Sequence, residues 1–176
     1  MKKAVFLDRD GVINQNERPV NRPDELILFP KAGEAIRLLN EAGYSVFVVT
    51  NQGGVGLGYL TENDFHDIHE KMEEDLKAAG AYVHEIQACI HKPNAGCVCR
   101  KPDAGMLLTL ADKHEIDLPH SYMVGDRITD IQAGEKAGTQ TIFIGTDMVE
   151  ADYVAETLFE AVQWILERDE RGCTIE

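Results

Sequence analysis

The sequence predicts an α/β domain of three layers, with helices on both faces of a mostly parallel sheet. Three observations predict it. Short strand-forming runs alternate with helical patterns along the chain, the order of parts expected of a sheet wrapped by crossover helices. The clearest run, Tyr44 to Val49, is apolar almost throughout, as suits a strand covered on both sides. The 176 residues, 44% hydrophobic and 27% charged, are enough for one domain over 1–176 with a buried core and too few for two of ordinary size.

Each element has its own local reason. Ala4 to Leu7 is the first strand. Ala32, Ala35, Ile36 and Leu39 recur at i, i+3, i+4 and i+7, the apolar stripe of a helix, and Gly43 follows as its C-terminal stop. Tyr44 to Val49 is the second strand. Thr61 with Asp64 three positions on marks a helix start, and Phe65, Ile68, Met72 and Leu76 carry that helix to Gly80. His84 to Ile90 is a third strand, and Asp103 to His114 a helix with Met106, Leu107, Leu110 and Ala111 inward. Tyr122 to Val124 and Thr141 to Ile144 are strands around a helix from Thr129 to Ala137, and Leu158 to Leu166 closes the chain as a helix. The result is a Rossmann-like arrangement, in which ligands sit beyond the carboxyl ends of the strands.

Charge narrows the function. Seventeen basic and 31 acidic residues leave a net charge of −14, which argues against a nucleic-acid partner. The excess is concentrated in residues 147–176, read as a solvated helix face, so an anionic substrate needs a local cluster of donors. No apolar run approaches the roughly 18 to 20 residues of a spanning helix, so no membrane partner is expected. The apolar run after Met1, Lys2 and Lys3 stops at Asp8, too early for a secretory signal. A cytoplasmic location follows as the expectation, and with it reduced thiols: the four cysteines are better ligands than disulfides.

The unusual polar residues fall at the expected strand ends. Asp8-Arg9-Asp10-Gly11 follows the first strand, Thr50-Asn51-Gln52 the second, a Cys/His cluster and Arg100-Lys101 the third, and Gly125-Asp126-Arg127, with Asp130 beyond, the fourth. Asp8, Asp10 and Asp126 offer the hard oxygen ligands that suit Mg2+ beside a phosphate. A cation shared by carboxylate and phosphate lowers the barrier to attack. One acid can then serve as nucleophile while the other protonates the leaving oxygen and later activates water. Thr50, the amides around Asn51 to Gly53 and Lys101 supply donors and positive charge for the phosphoryl oxygens. An isolated Asp-x-Asp-Gly is an ordinary turn, but four successive strand ends carrying matching chemistry make a site.

These motifs resemble those of the haloacid dehalogenase superfamily over nearly the whole chain: Asp8 to Asn14 the first, Thr50-Asn51-Gln52 the second, Lys101 the third, Gly125-Asp126-Arg127-x-x-Asp130 the fourth. The resemblance implies Asp8 as nucleophile and Asp10 as acid/base. It implies magnesium on Asp8, the Asp10 backbone carbonyl and Asp126, with Asp130 supporting the site from behind. It also implies Thr50 and Lys101 on the transferred group.

Cys89-x-His91-x5-Cys97-x-Cys99 offers three sulfurs and one imidazole, a set that fits a closed tetrahedral Zn2+ site pinning the loop before Arg100 and Lys101. Free thiols beside a surface histidine are the plainer alternative. Cys173 has no evident partner. With this loop the chain resembles the capless branches that act on D-glycero-D-manno-heptose 1,7-bisphosphate and on histidinol phosphate. The stretch from Thr50 to Glu62 favours the heptose branch. Leu57, where that branch often carries Arg, and the short gap from His91 to Cys97 depart from it. A phosphorylated sugar is then the expected substrate and a monomer the expected state, with no large cap domain.

Asn51, Gln52, Gly53, Arg100 and Arg127 are the candidate substrate contacts, Arg100 first because its fork grips phosphate oxygens bidentately. Arg18 and Arg22 are solvated loop charges or further phosphate contacts. His66, His69, His84, His114 and His120 lack metal-like spacing and read as core or surface residues. The glycines from Gly53 to Gly58 fit neither dinucleotide fingerprint nor P-loop, so no nucleotide cofactor is expected. A phosphate-receiver module that stores rather than hydrolyses an aspartyl phosphate is the rival from another class, and an inactive zinc-stabilised protein a third reading.

Overall fold

Six strands, β1 (Ala4–Leu7), β2 (Ser45–Asn51), β3 (Glu85–Cys89), β4 (Tyr122–Gly125), β5 (Gln140–Ile144) and β6 (Tyr153–Ala155), make one sheet in the order β3-β2-β1-β4-β5-β6. Every pairing is parallel. The structure, a computed structural model, describes residues 1–172, and Cys173 lies outside them. The helices are α1 (Ala32–Glu41), α2 (Gly53–Gly56), α3 (Glu62–Ala78), α4 (Gly105–His114), α5 (Ile128–Ala137) and α6 (Leu158–Gly172).

The strands' two-residue period sorts their side chains between two cores. Val5 and Leu7 of β1, Val46 and Val48 of β2 and Tyr122 and Val124 of β4 point to the face covered by α1, α3 and α6. Ala4, Phe6, Phe47, Val49 and Met123 point to the opposite face, under α4 and α5. There Phe6 stands opposite Phe47 in the register, their rings stacked 5.5 Å apart. Apolar runs on β1 and β2 are therefore required on both faces.

The order of strands matters most for function. The chain builds outward from β1 to β3, then crosses back to place β4 on the other side of β1. Loops leaving β1 and β4 diverge there, and the crevice they leave is the usual ligand position in such a sheet. Among the described residues no further domain is inserted between the strands.

The expected elements are present with shifted ends. Thr61 caps α3, accepting from the Asp64 amide while the Asp64 carboxylate returns to the Thr61 amide. β2 runs two residues further than expected, so Thr50 and Asn51 pair with Ala88 and Cys89 inside the sheet. β3 ends at Cys89 and not at Ile90. α4 begins at Gly105 and not at Asp103, and its first turn lies against the cysteine loop, where only glycine fits: a Cβ there would sit 2.3 Å from the Val98 carbonyl oxygen. α6 continues past Leu166 to Gly172, with Arg168 over the Trp164 ring at 4.6 Å and that ring stacked on Tyr153 of β6.

Candidate active site

Four of the six strand ends deliver side chains to one cavity of about 580 Å³. Asp8 and Asp10 come from the end of β1, Asn51 from β2, the loop from Pro93 to Cys97 with Arg100 and Lys101 from beyond β3, and Arg127, Thr129 and Asp130 from beyond β4.

Lys101 is the electrostatic centre. Its ammonium, 3% exposed, donates to the Asp8 carboxylate at 2.9 Å and the Val49 carbonyl at 2.9 Å, and pairs with Asp130 at 2.6 Å. Burial alone would lower its pKa, but Asp8 and Asp130 outweigh that and raise it, so the charge is permanent. The Asn51 side chain holds Lys101 in place, accepting from its amide at 3.0 Å and donating to its carbonyl at 3.1 Å. Asp130 has two tasks: one oxygen meets Lys101, the other accepts from the Arg127 amide at 3.0 Å and so caps α5. Gly125 makes room for it, since a Cβ there would overlap the Asp130 side chain at 2.2 Å.

The two first-motif acids sit in opposite environments. Burial pushes the Asp8 carboxyl up to about 7, with Lys101 opposing and Asp130 and Asp126 adding to the rise. Burial would raise Asp10 too, but Arg9 and the side-chain donors Asn14 and Gln52 hold it below the usual carboxylate range. The contacts are Asn14 at 3.0 Å, Gln52 at 3.0 Å and the Arg9 guanidinium at 2.9 to 3.2 Å.

Asp8, Asp126 and Asp130 bring carboxylate oxygens within 4.8 Å of one another. Burial first, and then Asp130, raise the Asp126 carboxyl, and its buried Oδ1 has no hydrogen-bond partner. Converging acids that disfavour one another's charge, one of them with an orphaned oxygen, fit a hard divalent cation such as magnesium. When bound, the ion would keep these carboxylates ionised and screen them from a phosphate dianion. Gly11 is shaped by the same site: with φ +83, a Cβ on it would lie 2.0 Å from Asp126 Oδ2. The Asp10 carboxylate is not in this cluster, because Arg9 draws it away, which leaves its backbone carbonyl as its route to a cation.

The second cluster is sulfur-rich. Cys89 Sγ lies 3.0 Å from Cys99 Sγ and 3.6 Å from Cys97 Sγ, and His91 Nδ1 lies 3.2 Å from Cys99 Sγ. A tetrahedral zinc–thiolate site has ligand edges of about 3.8 Å, which the four atoms approach. Burial pushes the Cys89 thiol up to about 12, whereas the Arg100 backbone amide helps bring Cys97 down to about 6. Such a set releases protons when zinc binds. When bound, the ion would tie down Pro93 to Cys97, which form one wall of the cavity.

The candidate substrate contacts divide. Arg127 and Arg100 line the cavity, and Arg100 Nη1 is buried without a hydrogen-bond partner, a free donor suited to an anion. Gly53 lies beneath it: a Cβ there would come 3.2 Å from that nitrogen. Thr50 is fully buried, its hydroxyl taking a hydrogen bond from Gln52 at 2.8 Å. Gln52 therefore spans Thr50 and Asp10 instead of facing the cavity, and the side chain of Asn51 serves Lys101. Arg18 and Arg22 are exposed, Arg22 turned to Glu25 at 3.2 Å. Arg9 was not singled out by the sequence, yet its position between two acids was the available signal.

Comparison with known proteins agrees with this architecture. A family model described as HAD-hydrolase-like matches residues 98–166. The D-glycero-D-manno-heptose-1,7-bisphosphate 7-phosphatase of Thermosynechococcus vestitus is 37% identical, over 93% of this chain and 95% of its own length. This chain belongs to the haloacid dehalogenase-like phosphatases. Within that family, the D-glycero-alpha-D-manno-heptose-1,7-bisphosphate 7-phosphatase of Campylobacter jejuni is 34% identical over 95% of this chain and 98% of its own. The crystal structure of D,D-heptose 1,7-bisphosphate phosphatase from B. bronchiseptica, complexed with magnesium and phosphate, superposes with a TM-score of 0.88 at 34% identity, covering 94% of this chain and 99% of that one. The superposition takes in nearly the whole of both chains, and among the described residues no cap domain is inserted.

Proposed function

We propose that the chain is a magnesium-dependent phosphatase that removes the C7 phosphate from D-glycero-D-manno-heptose 1,7-bisphosphate. The observation that carries this reading is the convergence of Asp8, Lys101, Asp126 and Asp130 beside Asp10 in one cavity. The relatives' names supply the sugar.

In this reading Asp8 attacks phosphorus and carries the phosphoryl group as an aspartyl phosphate, while Lys101 balances charge on its oxygens. Asp10 gives a proton to the leaving sugar oxygen. An approaching phosphate dianion raises the Asp10 pKa from its depressed resting value and so favours the protonated form needed for that step. Once the sugar has left, the same carboxylate takes a proton from the water that attacks the aspartyl phosphate. A second acid beside the nucleophile supports turnover over the long-lived phosphate of a receiver module. Arg100, with its free buried donor, and Arg127 are read as contacts to the rest of the substrate, and Asp8, the Asp10 carbonyl and Asp126 as the magnesium ligands. Asp130 belongs to the same cluster and doubles as partner to Lys101.

The cysteine cluster is read as a structural zinc site that shapes the cavity wall and takes no part in chemistry. All of these groups come from one sheet, which supports a single domain; a monomer is the state proposed. No described helix is long and apolar enough to cross a membrane, which accords with a cytoplasmic enzyme.

The test is phosphate release from both anomers of the heptose bisphosphate and from histidinol phosphate, with magnesium and after its removal by EDTA. Hydrolysis of a heptose anomer that vanishes in Asp8→Asn is expected. Preference for histidinol phosphate would overturn the substrate assignment, and retained turnover in Asp8→Asn the assigned nucleophile.

A further inference from the structure

Behind Asp10 runs a line of side chains that phosphoryl transfer does not itself use. Arg9 is 1% exposed, the largest of the fully buried side chains. Its Nε and Nη2 donate to Asp10 Oδ1 at 3.0 and 2.9 Å, and Nη2 also reaches Oδ2 at 3.2 Å. The remaining arm, Nη1, meets Nε2 of His69 on α3 at 3.1 Å. A guanidinium has donors only. His69 must therefore accept through Nε2 as a neutral imidazole, its proton on Nδ1. The imidazole is itself held, edge-on to the Phe65 ring at 4.2 Å and 90°.

We propose that His69 and Arg9 are positioning residues for Asp10: His69 locks the Arg9 guanidinium, and Arg9 sets the plane of the carboxylate that gives and takes the proton. Asn14 and Gln52 each donate one hydrogen bond to Asp10, which fixes a distance. A fork that engages both oxygens fixes orientation as well. Without His69, one buried arm of that fork has no acceptor, and the guanidinium gains by turning toward another. Helix α3, otherwise a packing element, thereby reaches the chemistry through two side chains. This inference rests on the reading of Asp10 as acid and base given above.

Leaving-group dependence tests it. The ratio kcat/KM covers steps up to departure of the leaving group, and a sugar alkoxide needs a proton there whereas 4-nitrophenolate does not. His69→Phe keeps a ring against Phe65 and removes the acceptor. We expect its kcat/KM to fall about tenfold for the heptose bisphosphate and to stay within about twofold for 4-nitrophenyl phosphate. His69→Gln, whose carbonyl can accept from Arg9, should restore most of the loss. Equal losses on both substrates, or no loss on either, in a folded His69→Phe would overturn the proposal. Should that variant not fold, Arg9→Lys, which keeps charge and loses the fork, reads the same ratio with the same expected and refuting results. Asp10→Asn separates the two readings. If it lacks the leaving-group split, the acid/base role of Asp10 fails and this inference with it; if it shows the split and His69→Phe does not, only the positioning role fails.

Discussion

Replacing Lys101 by Met removes the cation that two buried acids share, and the structure sets the size of the effect. The ammonium stands 2.9 Å from Asp8 and 2.6 Å from Asp130, and the side-chain exposures are 2% for Lys101, 10% for Asp8 and 2% for Asp130. Methionine fills similar volume, so the cost is electrostatic. Breaking a buried pair by removing one partner costs about 3 to 5 kcal/mol, a large share of a total stability of about 5 to 15 kcal/mol. For a chain of this length that lowers Tm by roughly 6 to 20 °C. The decisive assay is thermal unfolding of metal-free protein at pH 8 and pH 5, comparing Lys101→Met with Lys101→Met/Asp130→Asn. The double variant strands one acid instead of two and should recover part of the loss. At pH 5 the loss should shrink, because the stranded Asp8 can take a proton. A Lys101→Met protein with wild-type Tm at pH 8 would refute the view of Lys101 as the charge that holds the acids together.

Three further outcomes follow from the same geometry. Gly11→Ala should raise the magnesium concentration needed for half-maximal activity by more than about tenfold, because its Cβ has to displace Asp126 from 2.0 Å away and adopt φ +83; an unchanged magnesium titration would show that Asp126 is not a ligand. Folded Asp8 has its carboxyl near 7 against 3.8 for the free group, so the folded state binds that proton more tightly. Its contribution to stability is full below about pH 4 and lost as pH rises to about 7, so metal-free Tm should fall across that window and fall less in Asp8→Asn. Cys99→Ser should lower zinc from about one per chain to substoichiometric and expose the loop at Pro93 to Cys97 to limited proteolysis; full zinc content in the variant would contradict the four-ligand cluster.

How much of this could be read from residues alone follows from which interactions are local. The strand ends were legible because β1 and β2 are apolar up to the residues that face the cavity, so acids or amides there stand out. The sulfur cluster was legible because its spacing is short. β6 was not expected: three residues, Tyr153–Ala155, carry little period, and the strand exists because β5 offers an edge and Trp164 a surface for Tyr153. α2 was not expected either, since glycines disfavour helix. Close packing calls for them, a Cβ on Gly56 meeting the Lys92 amide at 2.5 Å. Gln52 read as a substrate contact because its neighbours are, and only the fold shows its amide spent on Thr50 and Asp10. The burial of Arg9 and His69 depends on α3 packing on the sheet face that Val5 and Leu7 of β1 share, which no spacing within either segment encodes.

The metal-binding loop has a consequence for engineering. Its four ligands lie between Cys89 at the end of β3 and Cys99, directly before Arg100. The loop is thus closed at its own base, and it also leans on the scaffold, its backbone lying against Gly56 and Gly105 and its cysteines against the core under α4. Transplanting the segment from a relative with another preference should retune selectivity only where the graft returns the chain at Arg100 with Lys101 still seated between Asp8 and Asp130, and keeps the close approaches to Gly56 and Gly105.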